Sequence, residues 1–175
     1  LADGPEAYID RLNLGLARAR GDYVARMDAD DISAPERLER QVACLDRRGD
    51  IGMVGSYVSS NIESDYLDWQ NSFHDSEDIL RSAWIDIPVV HPTWLVRRAL
   101  FERWGGYRMG PFPEDYEILL RWMLRGEKLL KIPEPLVFWR RHEGCMTVSD
   151  PRFSEGALNA LKARSEASFG LVRTT

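Results

Sequence analysis

The chain has 175 residues, 44% of them hydrophobic and 10% aromatic, which is enough for one domain with a sizeable core. Its 23 basic against 28 acidic residues, without a long basic run, argue against a general nucleic-acid or anionic-membrane surface, so an anionic ligand must be held by a local cluster. Two distant cysteines, Cys44 and Cys145, indicate neither a disulfide framework nor a zinc site by their spacing, and make a reducing compartment the default.

The chain opens at Leu1-Ala2-Asp3-Gly4-Pro5 without an initiator methionine and runs almost directly into a helix, which suggests a fragment whose preceding strands lie outside it. There is no basic start followed by a long apolar stretch to mark a signal peptide. The longest weakly polar run, Ile87 to Val96, is broken by Pro88, His91 and Pro92 and is too short to span a bilayer. From Glu6 to Arg20, Ile9, Leu12, Leu16 and Ala19 recur at helical spacing, and Gly21-Asp22 stops that helix. A short apolar strand follows over Tyr23 to Met27, with Asp28, Asp30 and Asp31 at its carboxyl end. In extended backbone alternate side chains share a face, so Asp28 and Asp30 are expected to point the same way. Two hard oxygen ligands so placed suit Mg²⁺ or Mn²⁺, ions that bridge protein carboxylates to substrate phosphates. The same residue types also suit a polar turn with helix caps.

Beyond the acids, Ser33-Ala34-Pro35-Glu36 has capping-box spacing, and Leu38, Val42 and Leu45 give the next helix a buried face until Gly49. Helix followed by strand begins an α/β pattern, and a second strand is predicted over Ile51 to Val58. Polar Ser59 to Ser76, around Tyr66 and Trp69, reads as a loop or edge hairpin and a candidate lid or acceptor-facing segment. Ser76 to Ile85 reads as a helix ended by Pro88. After His91-Pro92-Thr93-Trp94, a short helix from Arg98 to Trp104 meets a sharp turn at Gly105-Gly106-Tyr107. Past the glycine- and proline-rich loop Met109 to Pro113, Glu114-Asp115 opens a helix with Tyr116, Leu119, Leu120 and Met123 inward. Lys128 to Ile132 and Leu136 to Trp139 read as two short strands around Pro133-Glu134-Pro135, and Phe153 to Phe169 as a surface helix.

Three polar clusters therefore stand at ends of regular elements: Asp28/Asp30/Asp31, Glu114/Asp115, and Arg140/Arg141/His142 with Thr147 and Ser149 beyond. Together they supply a cation site, a carboxylate able to act as base, and donors for a phosphate, the set needed for group transfer from a phosphate-activated donor. Each also has a plainer reading: helix capping for Glu114-Asp115, a solvated strand end for the arginines, and a structural role for His142.

Asn13-Leu14-Gly15, Gly21-Asp22-Tyr23-Val24-Ala25 and Met27-Asp28-Ala29-Asp30-Asp31 resemble the central block of the family 2 glycosyltransferases. His91-Pro92-Thr93, Gly105-Gly106-Tyr107, Pro113-Glu114-Asp115-Tyr116-Glu117 and Trp139-Arg140-Arg141-His142 resemble that family's later segments, in the same order, so the likeness covers roughly residues 8 to 149. It implies an α/β GT-A fold, a Rossmann-like mixed sheet flanked by helices, here lacking its first strand, within a single catalytic domain over residues 1–175. It also implies a nucleotide-diphosphate sugar as donor, Mg²⁺ or Mn²⁺, and inversion at the anomeric carbon. By that resemblance Asp28 lies near the donor ribose or sugar, Asp30 ligates the ion, and Asp31 supports the same site. Asp115 is the general base, Glu114 orients it, and Arg141 and His142 serve the diphosphate side.

The implied acceptor is a glycan, a lipid-linked sugar or another hydroxyl compound, and the implied location is the cytoplasm, at the inner face of the membrane. Peripheral membrane association and a homo-oligomer belong to the same expectation, as does a sheet edge exposed for pairing between chains. With the nucleotide-base pocket incomplete, weak or no turnover is expected of these residues alone. Two competing readings are a phosphatase or phosphotransferase with Asp28 as nucleophile, and a carbohydrate-binding module without activity. Trp69, Trp94 and Tyr107 are the aromatics open either to sugar stacking or to packing.

Overall fold

The computed structural model describes residues 5–145 and 150–169, so Thr147 and Ser149 lie outside the described residues. Five strands, β1 (Tyr23–Ala25), β2 (Ile32–Ser33), β3 (Ile51–Ser60), β4 (Leu95–Arg97) and β5 (Lys128–Trp139), form one sheet in the order β1-β4-β3-β5-β2. The long central pair β3 and β5 is parallel, and the other pairings are antiparallel. Around it lie α1 (Pro5–Arg18), α2 (Arg37–Arg47), α3 (Asp65–Gln70), α4 (Ser76–Ser82), α5 (Arg98–Trp104), α6 (Glu114–Met123) and α7 (Glu155–Phe169).

The first six residues of β3 and Val58 are buried, as expected of a strand covered on both faces. Successive residues point to opposite faces: Met53 joins a core with Ile118, Leu119 and Trp122 of α6, whereas Val54 packs with Leu45 of α2. The sheet is thus mixed and flanked by helices, as the resemblance implies.

Several elements differ from the expectations. The predicted strands Lys128 to Ile132 and Leu136 to Trp139 are one strand, because the ladder with β3 shifts register between Ser56 and Val58 and lets Pro133 and Pro135 sit where a missing N–H breaks no regular pairing. The segment read as a loop or edge hairpin holds the end of β3 and then α3, whose cap is Ser64, accepting the Leu67 N–H at 3.3 Å. Asn71 fixes that segment by bonding both the N–H and the C=O of Val58, at 3.0 and 2.8 Å. The capping box is not formed: Ser33 is held in β2 opposite Val137, α2 starts only at Arg37, and Glu36 caps nothing with its side chain. Only Tyr23–Ala25 of the acidic strand pairs, at the sheet edge, and Asp28 to Asp31 make a turn closed by the Asp31 N–H on the Asp28 carbonyl at 3.4 Å. The acids therefore converge through a turn, not by alternation along a strand.

Candidate active site

Beyond the carboxyl ends of β1 and β5 opens a cleft of about 260 Å³. Asp28, Asp30 and Asp31 line one side, Glu114 and Asp115 the floor, and Tyr66, Ile87, Val90, Trp139 and Phe153 an apolar side. The cleft has the composition of a ligand site: mostly apolar walls with a few convergent charged groups.

The acidic turn is anchored by each of its carboxylates in a different way. Asp28 makes an ion pair with Arg26, which also donates to the Tyr8 hydroxyl at 2.8 Å. Burial pushes the Tyr8 phenol up to about 12. Asp30 meets His142 Nε2 at 3.0 Å, and this hydrogen bond holds its carboxyl below the ordinary range. Asp31 accepts the Arg140 backbone N–H at 2.9 Å, tying the turn to the end of β5. Burial, with Asp28 and Asp30 nearby, pushes the Asp31 carboxyl up to about 6. Its Oδ2 is buried without a hydrogen-bond partner, so this acid has an oxygen to offer to a cation. The Arg37 guanidinium supports the turn from below, donating to the Arg26 carbonyl at 2.8 Å and the Trp94 carbonyl at 3.2 Å.

The floor is built differently. Asp115 sits in the first turn of α6 with Oδ1 accepting the Tyr116 N–H at 2.8 Å. Burial, then the neighbouring Glu114 charge, raises its carboxyl far above the usual carboxylate range. Glu114 is only 2% exposed and accepts from Arg152 at 3.0 Å, while Arg152 also forks onto Asp150 at 2.9 and 2.7 Å. Burial raises Glu114 as well, with Arg152 opposing the rise.

The helix presenting these acids is held rigidly. Glu117 pairs with Arg121 at 2.8 Å, and Arg121 donates to the Gly106 and Gly105 carbonyls at 2.7 and 3.1 Å. Gly105 has φ +81°, a left-handed conformation that favours glycine. Asn13 of α1 brackets the Tyr107 backbone through bonds of 3.0 and 2.9 Å, and the Tyr107 hydroxyl meets His91 at 2.7 Å. Asn13, Gly105 and Tyr107, noticed in the sequence for their motif, thus support the floor together with Arg121.

Sequence reasoning grouped Asp28, Asp30, Asp31, Glu114 and Asp115, and the fold brings all five to one cleft. His142 is beside Asp30, whereas Arg141 turns its guanidinium over the Trp139 ring at 4.8 Å and Arg140 lines the cleft. Trp94 and Tyr107 are buried and Trp69 packs against the core, so these aromatics serve packing. The cleft aromatics are instead Tyr8, Tyr66, Trp139 and Phe153, and Arg26 and Arg152 are further groups that sequence reasoning missed. Arg26, two residues before Asp28, carried a local signal; Arg152 carried none.

The sequence model described as Glycosyl transferase family 2 matches residues 5–105. The amylovoran biosynthesis glycosyltransferase AmsE of Erwinia amylovora is 30% identical over 126 residues, covering 72% of this chain and 47% of that protein. An uncharacterized glycosyltransferase of Haemophilus influenzae is 31% identical over 147 residues, covering 77% and 45%. The chain spans about half the length of the curated relatives it matches. Among solved structures, S. aureus TarS 1-349 in complex with UDP-GlcNAc superposes with a TM-score of 0.63 at 17% identity, over 78% of this chain and 40% of that one. A mixed sheet flanked by helices, acids gathered at its strand ends and this sequence match agree: the chain belongs to glycosyl transferase family 2 and has its GT-A fold.

Proposed function

We propose that residues 1–175 form one catalytic domain, or the larger part of one, that transfers a sugar from a nucleotide-diphosphate donor to an acceptor hydroxyl with inversion. The observation that carries this reading is the buried Asp115 on the cleft floor, facing an acidic turn whose Asp31 keeps an unsatisfied oxygen. A carboxyl raised by burial is a stronger base toward a hydroxyl than an exposed one, and α6 fixes it in place. As the acceptor oxygen attacks the anomeric carbon, Asp115 takes its proton, the new glycosidic bond forms, and the bond to the diphosphate breaks on the opposite face. Glu114, clamped by Arg152, keeps negative charge beside Asp115 and so sustains its basicity.

Asp30, with His142 beside it and Asp28 and Asp31 on the same turn, would hold a divalent cation, which would supply positive charge toward the departing diphosphate. Arg140, on the lining, is better placed than Arg141 to serve the same oxygens. Tyr66 and Trp139, with centroids 6.2 Å apart, offer a surface on which the face of an acceptor sugar stacks. Amylovoran biosynthesis in one relative and O-antigen biosynthesis in another support a surface glycan or its lipid-linked precursor as acceptor. Such an acceptor is in keeping with work in the cytoplasm at the inner membrane face. Separately, no helix among the described residues is long and apolar enough to cross a membrane. The exposed edge of β1 supports association between copies.

The test is a donor screen with Mn²⁺ or Mg²⁺, on this chain and on any longer protein carrying it, with Asp30→Ala and Asp115→Asn in parallel. Transfer that depends on both residues is expected; full transfer in both variants refutes the assignment. Phosphate trapped on Asp28 would instead select the phosphotransferase reading, and sugar binding that survives chelation and Asp115→Asn the binding-module reading.

A further inference from the structure

We infer that Asp30, His142 and Cys145 form a divalent-cation site in which the Cys145 thiolate is a ligand, so that the site prefers a thiophilic ion such as Zn²⁺ or Co²⁺ over Mg²⁺. One ligand atom from each of the three residues lies within 4.8 Å of the other two. Asp30 Oδ2 and His142 Nε2 are already 3.0 Å apart. Around a tetrahedral ion with bonds of about 2.0 Å to N or O and 2.3 Å to S, ligand atoms stand roughly 3.3–3.8 Å apart, so closure needs a movement of about 1 Å. Two of the three side chains sit on the turn that follows β5, and Asp30 sits on the acidic turn.

The turn after β5 is shaped to keep the sulfur near the imidazole. The His142 N–H donates to Cys145 Sγ at 3.3 Å, and the Cys145 N–H donates to the His142 carbonyl at 3.1 Å. The Cys145 thiol also reaches the Arg140 carbonyl at 3.7 Å. Half-exposed Asp30 and His142, each 47% exposed at the side chain, leave an entry path for an ion. Binding replaces the proton on His142 Nε2, and the neutral ring then carries its proton on Nδ1. The Gly144 N–H, 3.2 Å from Nδ1, is the contact given up. The thiol proton passes to solvent as the thiolate coordinates.

The donor set decides the preference. Mg²⁺ takes oxygen ligands in a near-ideal octahedron, whereas a carboxylate, an imidazole and a thiolate suit a borderline-soft ion. This departs from the all-oxygen site expected from the Asp-x-Asp pattern, and from the absence of a zinc signal in the cysteine spacing. The inference takes from the proposed function only the place of the cation in the cleft. Its readout is binding, so its failure is distinguishable from a failure of sugar transfer.

The test is titration of the reduced chain with Co²⁺ near neutral pH, followed in the near ultraviolet for the sulfur-to-cobalt charge-transfer band, with Zn²⁺ or Mg²⁺ as competitor. A stoichiometric band that Zn²⁺ abolishes and equimolar Mg²⁺ leaves in place is expected. Cys145→Ser should remove the band and weaken Zn²⁺ binding by more than about tenfold, while Cys44→Ser keeps both. No band in the native chain, a band that survives Cys145→Ser, or equal affinity for Mg²⁺ and Zn²⁺ overturns the inference.

Discussion

The two acidic regions of the cleft are built on opposite principles. Asp28, Asp30 and Asp31 lie on a short turn at a sheet edge, each tied to a different partner, and Asp30 is half exposed. Glu114 and Asp115 lie in the first turn of a packed helix, buried at 2% and 7% exposure. Solvent and a hydrogen bond from His142 keep Asp30 ionised, while burial keeps Asp115 a proton acceptor of raised affinity. A carboxylate meant to meet a cation gains from exposure and adjustable geometry. One meant to take a proton gains from burial and a fixed position.

That contrast fails or sharpens first at Asp115. Replacing it by Asn should lower the turnover of an active form by about 10²–10⁴-fold, the usual worth of a positioned base, and leave donor binding in place. Steady-state rates with separately measured donor affinity check this; an unchanged rate removes Asp115 from the mechanism. In the native protein the rate should rise with pH through and above the ordinary carboxylate range, because the raised Asp115 must be ionised to act.

Next in size is the clamp on Glu114. Arg152→Ala leaves a carboxyl at 2% exposure without its cation, and should cost about 3 kcal/mol in urea unfolding. A loss below the error of the measurement would mean the clamp is dispensable.

The third test concerns stability alone. A carboxyl whose folded pKa is raised binds more protons in the folded than in the unfolded chain, so stability falls as pH climbs from the ordinary value of 3.8 toward the raised one. Asp115→Asn should therefore stabilise the fold at neutral pH by roughly 1–3 kcal/mol, with the gain fading as pH approaches 3.8. Thermal or urea midpoints across pH check it, and a variant that is less stable at pH 7 contradicts the burial argument.

The smallest effect belongs to the turn. Asp30→Ala removes an exposed side chain and should change stability by less than about 0.5 kcal/mol, while abolishing cation binding measured by calorimetry. A large stability loss would make Asp30 a structural acid like Glu114.

Much of the site was legible in the primary structure because its signals are local. Asp28, Asp30 and Asp31 are near neighbours, Glu114-Asp115 follows a proline and opens a helix with an inward apolar stripe, and the spacing of both blocks is what the family resemblance rested on. The helices α1, α5 and α6 declared themselves by apolar periodicity or by a following glycine. Boundaries set by tertiary pairing were less visible. The β5 strand runs through two prolines because β3 tolerates a register shift, and Ser33 is drawn from a capping role into β2 by Val137.

By itself the sequence determined the α/β order of elements, the family and the two groups of acids, since each is written in residues close along the chain. Only the tertiary structure decided which partners those acids have. Arg152 reaches Glu114, and His142 reaches Asp30, across 38 and 112 residues. The physical reason is that partners so far apart leave no periodic or spacing signal, and the sheet that joins the ends of β1 and β5 to one cleft exists only once the chain has folded.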